Sequence, residues 1–308
     1  MIVVLGKESA AVVAAADGAE VRFVPDWSSV GSDVVESMEA VVGRVPAEVL
    51  ARAAKLRWVH SPSAGVDADL TPEMLASDVV LTSSAGNGAI PLAEHAMLLM
   101  LMLNREVPRW VRAQSEHRWD RFTHGELAGL TLGIYGLGNS GIDLAAKAKA
   151  FHLRVLGVRR RRDQPSPYVD QVFGEEGLPE LLAESDFVVV TAPSTPATIG
   201  RFGPAEFAAM KRTAYFVCIS RGGIADDDAL LAALRTGEIA GAGLDAHGVE
   251  PLPAESPFWD LPNVIVTPHN GATSHGTARR GEQIVLENLR RFLAGEDLLN
   301  VVDKSAGY

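Results

Sequence analysis

The 308 residues carry 39 acidic against 28 basic side chains, a net charge of −11 at pH 7, with 47% hydrophobic and 22% charged residues. These are the proportions of an ordinary soluble globular chain. They exclude nucleic acid or an anionic membrane as the main partner, because neutralising phosphates needs a basic face.

A single cysteine, Cys218, rules out an internal disulfide and a multi-cysteine metal site, and no metal is expected. It lies in the apolar run YFVCIS and reads as a buried strand thiol. The chain exceeds the usual limit of one core, about 250–300 residues, so two domains are expected. The first residues, MIVVLGKESA, read as strand and turn and lack the basic start and long apolar core of a secretion signal. The most hydrophobic segment, 96–103, is too short to span a bilayer. A cytoplasmic protein without a membrane partner is therefore expected.

Over residues 1–90, apolar runs at 2–5, 21–24, 40–42, 58–59 and 79–81 alternate with helix-compatible stretches such as 9–16 and 47–54. This predicts a small α/β unit on a mostly parallel sheet. The loop Ser61-Pro62-Ser63-Ala64-Gly65-Val66-Asp67 follows the fourth run. Its small residues can aim several backbone amides at an anion, or simply form a surface turn. Residues 92–103 predict a helix apolar enough to be buried on all sides, between domains or subunits. His95, near its start, reads as a structural histidine and is left out of the site. The stretch 108–122, rich in Trp and Arg, suits an exposed arm or a subunit contact.

Thr131 to Gly141, TLGIYGLGNSG, organises the rest of the chain. A strand runs into Gly136-Leu137-Gly138-Asn139-Ser140-Gly141 and a helix-compatible stretch, 142–151, comes at once after it. In that context G-x-G-x-x-G is expected to be a dinucleotide site, the alternative being a turn with no ligand. Gly136 allows the tight turn, Gly138 lets a pyrophosphate approach the backbone, and Gly141 lets helix and strand pack closely, with helix amides aimed at the phosphates.

Strand candidates then recur at 153–158, 186–191, 214–219, 239–244 and 263–267. The fold expected is α/β with two doubly wound parallel-sheet domains. The larger is a Rossmann dinucleotide-binding domain over 99–282; the smaller, over 1–98 and 283–308, is discontinuous, because the apolar tail 298–302 returns to it. The second strand of the larger domain ends in Arg159-Arg160-Arg161-Arg162, where a carboxylate would read the ribose of NAD. Arginine there suits the extra phosphate of NADP, with Arg159 and Arg160 the expected contacts; the alternative is a solvated charge run.

Three consecutive strand candidates end in reactive residues: Ser220-Arg221, Asp245 with Glu250 shortly after, and Pro268-His269-Asn270-Gly271. Parallel strands place such ends on one edge, where ligands of open α/β sheets bind. Arg221 can hold a carboxylate and polarise the adjacent carbonyl. His269 can give or take the proton, and Glu250 on the far ring nitrogen would favour the imidazolium. Each residue also has a bland reading, as an ion-pair partner, a turn carboxylate and a loop histidine.

On the segments LAEHAMLLML (92–101), ELAGLTLGIYGLGNSG (126–141), ISRGGIADDDALLAALRTGEIAGAGLDAHGVEPLP (219–253) and NVIVTPHNGA (263–272), the chain resembles the D-isomer-specific 2-hydroxyacid dehydrogenases. The resemblance implies Arg221 as substrate-binding arginine, His269 as acid–base and Glu250 as its partner. It implies that amides of Ala64 and Gly65 bind the substrate carboxylate and that Asp245 contacts the nicotinamide end. Further cofactor contacts are expected from Gly136, Leu137, Gly138, Asn139, Ser140, Ala192, Pro193, Ile219, Ser220, Arg221, His269 and Gly271. A homodimer involving the helix from Leu92 and the Trp119 region is also implied.

The chain departs from the family at Ser140 and Leu130, where an aliphatic residue and lysine are usual, and at Ala246-His247, usually valine–phenylalanine. His247 either alters the active-site wall or faces solvent, and the solvent-facing reading is preferred. The function expected is hydride transfer between NADP(H), with NAD(H) also possible, and a small 2-keto or 2-hydroxy acid of D configuration, of the glyoxylate/hydroxypyruvate type. The alternatives are a cofactor-sensing, corepressor-like binding protein and a phosphite- or formate-type dehydrogenase.

Overall fold

A computed structural model describes residues 1–161, 164 and 166–308. The chain forms two compact units, one of Met1–Gly88 with Ser274–Tyr308 and one of Ala89–Thr273.

The first unit holds a five-stranded parallel sheet: β1 (Ile2–Leu5), β2 (Val21–Val24), β3 (Ala40–Val42), β4 (Trp58–Ser61) and β5 (Val80–Ser83), in the order β2-β1-β3-β4-β5. Val3, Val41, Val59 and Leu81 are essentially buried, as expected where helices cover both faces of a parallel sheet. Its helices include α1 (Ala10–Ala15), α2 (Ser32–Ser37), α3 (Ala47–Leu50) and α4 (Pro72–Ala76). The C-terminal segment completes this unit. The tail pairs with β5, Thr82 bridging Val301 and the Val302 amide donating to the Leu81 carbonyl at 2.8 Å.

In the second unit a long helix, α5 (Ala89–Asn104), and a shorter one, α6 (Val107–Ser115), precede a seven-stranded parallel sheet. Its strands are β6 (Thr131–Tyr135), β7 (Arg154–Val158), β8 (Gln171–Phe173), β9 (Phe187–Val190), β10 (Tyr215–Cys218), β11 (Gly241–Leu244) and β12 (Val264–Val266). The order is β12-β11-β10-β9-β6-β7-β8, so the chain reverses direction across the sheet between β6 and β9. The crevice outside those two strand ends is the general ligand position of such folds. Four helices, α7 (Asn139–Ala150), α8 (Leu178–Glu184), α9 (Pro204–Ala209) and α10 (Asp227–Thr236), alternate with the strands. The last helix, α11 (His275–Ala294), belongs to the first unit, where Phe292 packs on Trp58 with ring centroids 5.1 Å apart.

Two expectations change. The chain passes between units at the starts of α5 and α11, not at 98 and 282, because a division there would cut each helix in its interior. β8 lies outside the expected strands. Burial of α5 on all sides would take a second subunit, because one face is open within the chain. Ala93, Ala96, Leu99 and Met100 are buried against the second unit, whereas Leu98 is 49% exposed. The helix also starts earlier than Leu92, with Pro91 in the first turn, where its missing N–H is harmless.

Candidate active site

The glycine turn is shaped by contact. Gly136 has φ +106°, and a Cβ there would lie 2.6 Å from the Ala192 backbone nitrogen, so the turn after β6 presses on the chain leaving β9. The Thr191 hydroxyl donates to the Gly136 carbonyl and fixes that approach. A Cβ on Gly141 would strike the same carbonyl.

Gly138 differs: a Cβ there would enter open space. It caps α7 without a side-chain acceptor, leaving the first-turn amides to an outside anion. Ser220 Oγ, at the end of β10, is buried with no oxygen or nitrogen partner among the described residues, only the Cys218 thiol beside it. An open backbone cradle at a helix N-terminus and a waiting polar atom on the same sheet edge fit a dinucleotide.

The other expected contacts divide by what each can offer. Leu137 and Ile219 are 3% and 2% exposed and belong to the hydrophobic core, so only their backbone groups are available. Asn139 is exposed and Ser140 half-buried at the start of α7; Ala192 is buried and Pro193 exposed just beyond β9. Arg159 continues β7, its amide donating to the Phe173 carbonyl at 3.1 Å. Its guanidinium bonds Ser166 Oγ at 2.9 Å and the Gln164 side chain. Arg160 and Arg161 are exposed, and Arg162 and Asp163 lie outside the described residues.

The acid–base pair is formed. His269 Nδ1 lies 2.7 Å from Glu250 Oε2, and Glu250 Oε1 accepts the His247 amide at 2.9 Å. An ionised carboxylate only accepts, so Nδ1 carries the hydrogen and Nε2 is the atom left for substrate. Burial works against the Glu250 charge, but the His247 amide and the His269 ring outweigh it and hold the carboxyl below its ordinary value.

Asp245, at the end of β11, is fully buried. Its Oδ1 accepts the Thr267 hydroxyl at 2.7 Å and the Asn270 amide at 3.1 Å, and its Oδ2 accepts the Gly271 amide at 3.0 Å. Burial works against its charge, but the His95 ring, the Thr267 hydroxyl and the Gly271 amide outweigh that penalty and keep it ionised well below the usual carboxylate range. The carboxylate therefore anchors the turn that carries His269, and a contact with nicotinamide would be a second task for it.

Two histidines read as outside the site belong to its frame. His95 Nε2 on α5 lies 3.0 Å from Thr267 Oγ1 and 3.4 Å from Asp245 Oδ1. His247, expected to face solvent, is only 8% exposed, with Nε2 2.9 Å from the Thr267 carbonyl. Arg221 stands at the end of β10, its Nη1 donating to the Ser220 carbonyl at 2.9 Å. The next residue, Gly222, lies so close under the His247–Gly248 backbone that a Cβ would overlap it. The Arg221 and Glu250 strand ends are thus packed together.

In the first unit, Ala64 and Gly65 follow β4. The Ser84 amide donates to the carbonyls of both Ser61 and Ser63, which fixes the loop. Among the described residues no cluster of His, Cys, Asp and Glu could hold a metal ion. No described helix is long and apolar enough to cross a membrane.

The model of the family described as D-isomer specific 2-hydroxyacid dehydrogenase, NAD binding domain, matches residues 97–271. A glyoxylate reductase of Korarchaeum cryptofilum is 36% identical over 269 residues, 84% of this chain and 80% of that protein. Among solved structures, a D-isomer specific 2-hydroxyacid dehydrogenase from Xanthobacter autotrophicus Py2, in complex with NADPH and MES, has a TM-score of 0.87 at 33% identity, covering 100% of this chain and 99% of that one. The NADPH-dependent glyoxylate/hydroxypyruvate reductase of Sinorhizobium meliloti, in complex with NADP and sulfate, has a TM-score of 0.85 at 32% identity, with the same coverage. The chain spans about half the length of the curated D-3-phosphoglycerate dehydrogenases it matches, 53% of that from Archaeoglobus fulgidus. With a match through the glycine turn and the strand ends bearing Arg221, Glu250 and His269, the chain belongs to the D-isomer-specific 2-hydroxyacid dehydrogenase family.

Proposed function

We propose that the protein is an NADP(H)-preferring oxidoreductase of small 2-keto and 2-hydroxy acids of D configuration, of the glyoxylate/hydroxypyruvate type. The observation that carries this is the His269–Glu250 pair, closed at 2.7 Å on the same strand-end edge as the glycine turn and Arg221.

When bound, the nicotinamide supplies or accepts the hydride. Arg221 pairs with the substrate carboxylate and polarises the neighbouring carbonyl, a fixed charge that needs no proton step. In reduction, His269 Nε2 gives its proton to the carbonyl oxygen as negative charge develops there; in oxidation it takes the hydroxyl proton back. Glu250 holds Nδ1–H, fixing the tautomer and placing a full negative charge beside the positive ring. Amides of Ala64 and Gly65 are proposed as further donors to the substrate carboxylate.

NADP rather than NAD is proposed because β7 ends in arginine where a carboxylate would select the 2′-hydroxyl. The two related structures of 32% and 33% identity were solved with NADP and NADPH. A homodimer is proposed on the exposed face of α5 and on Trp119, which is 91% exposed beyond α6. Single exposed apolar residues are ordinary, but an aromatic and an aliphatic face on adjoining elements suit a partner. A cytoplasmic location completes the proposal.

The test is turnover with NADPH and NADH across a panel of 2-keto acids, beside phosphite and formate. Reduction of glyoxylate or hydroxypyruvate with NADPH is expected. Preference for NADH would overturn the arginine assignment. Tight cofactor binding without any turnover would favour a cofactor-sensing binding protein.

A further inference from the structure

We infer that His247 is a positioning residue, whose ring ties the turn carrying His269 to the turn carrying Glu250. The inference rests on the dehydrogenase reading of the site.

His247 touches Glu250 itself and, on the other side, the turn that leads into His269. Its backbone amide donates to Glu250 Oε1 at 2.9 Å, and its ring Nε2 lies 2.9 Å from the Thr267 carbonyl. A carbonyl only accepts, so the ring is present with hydrogen on Nε2. The same carbonyl accepts the His269 amide at 3.1 Å. Both acceptor directions of Thr267 are therefore spent on fixing the acid–base residue and its neighbour. His269 needs such support, because its φ is +49°.

The surroundings exclude a merely solvated ring. His247 is 8% exposed, with Gly222 beneath its backbone. Two carboxylates face it: Glu250, and Asp227 at the start of α10, which lies against Gly248. Burial, only partly offset by the Gly248 amide and the nearby His247, raises Asp227 above its ordinary value. His269 stands beyond Glu250. Phenylalanine, usual at position 247 in the family, would keep the backbone bond to Glu250 but could not bond the carbonyl. This chain thus has a second restraint on the pair.

Three proteins test this: wild type, His247→Phe and His247→Gln, the last offering an amide donor that can reach the same carbonyl. In the cofactor-free protein, 15N-imidazole spectra should show His247 as the Nε2–H tautomer and His269 as the Nδ1–H tautomer. His247→Phe should erode the Nδ1–H population of His269, and His247→Gln should keep it. In turnover, His247→Phe should lose roughly three- to tenfold in kcat, about the effect of one neutral hydrogen bond. NADPH affinity should be unchanged, and His247→Gln should stay within about twofold of wild type. An unaltered His269 tautomer in His247→Phe would overturn the inference. So would equal losses in both variants, which would mark a packing role. Absence of turnover in wild type would overturn the dehydrogenase reading alone, and the spectra would still decide the role of His247.

Discussion

His269 holds its backbone in the left-handed region, at φ +49°, a conformation costing a non-glycine residue about 1 kcal/mol. Asp245 offsets that cost, because the two amides after His269 point together only in such a turn, and its carboxylate accepts both. Asp245 therefore holds the backbone from which the ring projects, and Glu250 then fixes its tautomer. Two substitutions separate these contributions. His269→Gln should cut kcat by about 10²–10⁴-fold, the usual value of a positioned acid–base group, with NADPH affinity unchanged by fluorescence titration. Glu250→Gln keeps an acceptor for Nδ1–H but removes the charge, so a smaller loss is expected, roughly 10- to 100-fold. An equal loss in both would mean that Glu250 does more than orient and stabilise the ring.

At the scale of elements, the two outer glycines of the turn and the middle one do different work, and substitution should show it. A Cβ at Gly141 meets the Gly136 carbonyl within the fold, so Gly141→Ala should destabilise the protein by about 1–3 kcal/mol, as overpacking does. A Cβ at Gly138 meets nothing, so Gly138→Ala should melt near the wild-type temperature yet bind NADPH at least tenfold more weakly, having filled the phosphate approach. Unimpaired binding by Gly138→Ala would put the pyrophosphate elsewhere. This turn was legible in the sequence because its signal is contiguous: strand, glycines and helix lie within a dozen positions or so. The strand ends bearing Arg221, Asp245 and His269 were legible for the same reason. What was hidden depended on contacts distant in sequence. The bond of His95 to Thr267 spans 172 positions. His247 gave a polar letter after a strand, with nothing to say that Gly222 and Thr267 would enclose it. β8 has three residues, Gln171–Phe173, too few for a periodic pattern, and is recruited by pairing with β7. Leu137 shows a different limit, since its place in the fingerprint says nothing of its side chain, which packs on Gly157 of β7.

For the whole molecule, acid should act through two opposed effects. The net charge of −11 means that protonating carboxylates first relieves repulsion, which favours the folded state. Those charges are mostly at the surface and screened beyond about 8 Å in physiological salt. His60 acts in the other direction and is not screened. It is fully buried in the first unit, with Nδ1 2.8 Å from Thr82 Oγ1 and Nε2 3.1 Å from Ser84 Oγ, and burial lowers its pKa to about 4 from 6.5. The folded protein keeps the ring neutral where the unfolded chain protonates it. Stability is therefore intact above about pH 6.5 and falls as pH drops toward 4, by roughly 3 kcal/mol at about 1.4 kcal/mol per pH unit. Asp245 and Glu250, held below their ordinary values, lose stability only below the unfolded carboxylate range near pH 4, and Asp227, raised by burial, gains it as pH falls toward that range, so the fall above it comes from His60. Urea denaturation monitored from pH 7 to pH 4 should show this slope in the wild type, and His60→Gln should flatten it even if the variant is less stable at pH 7. A wild-type stability that rose toward pH 5 would mean that surface repulsion outweighs the buried ring.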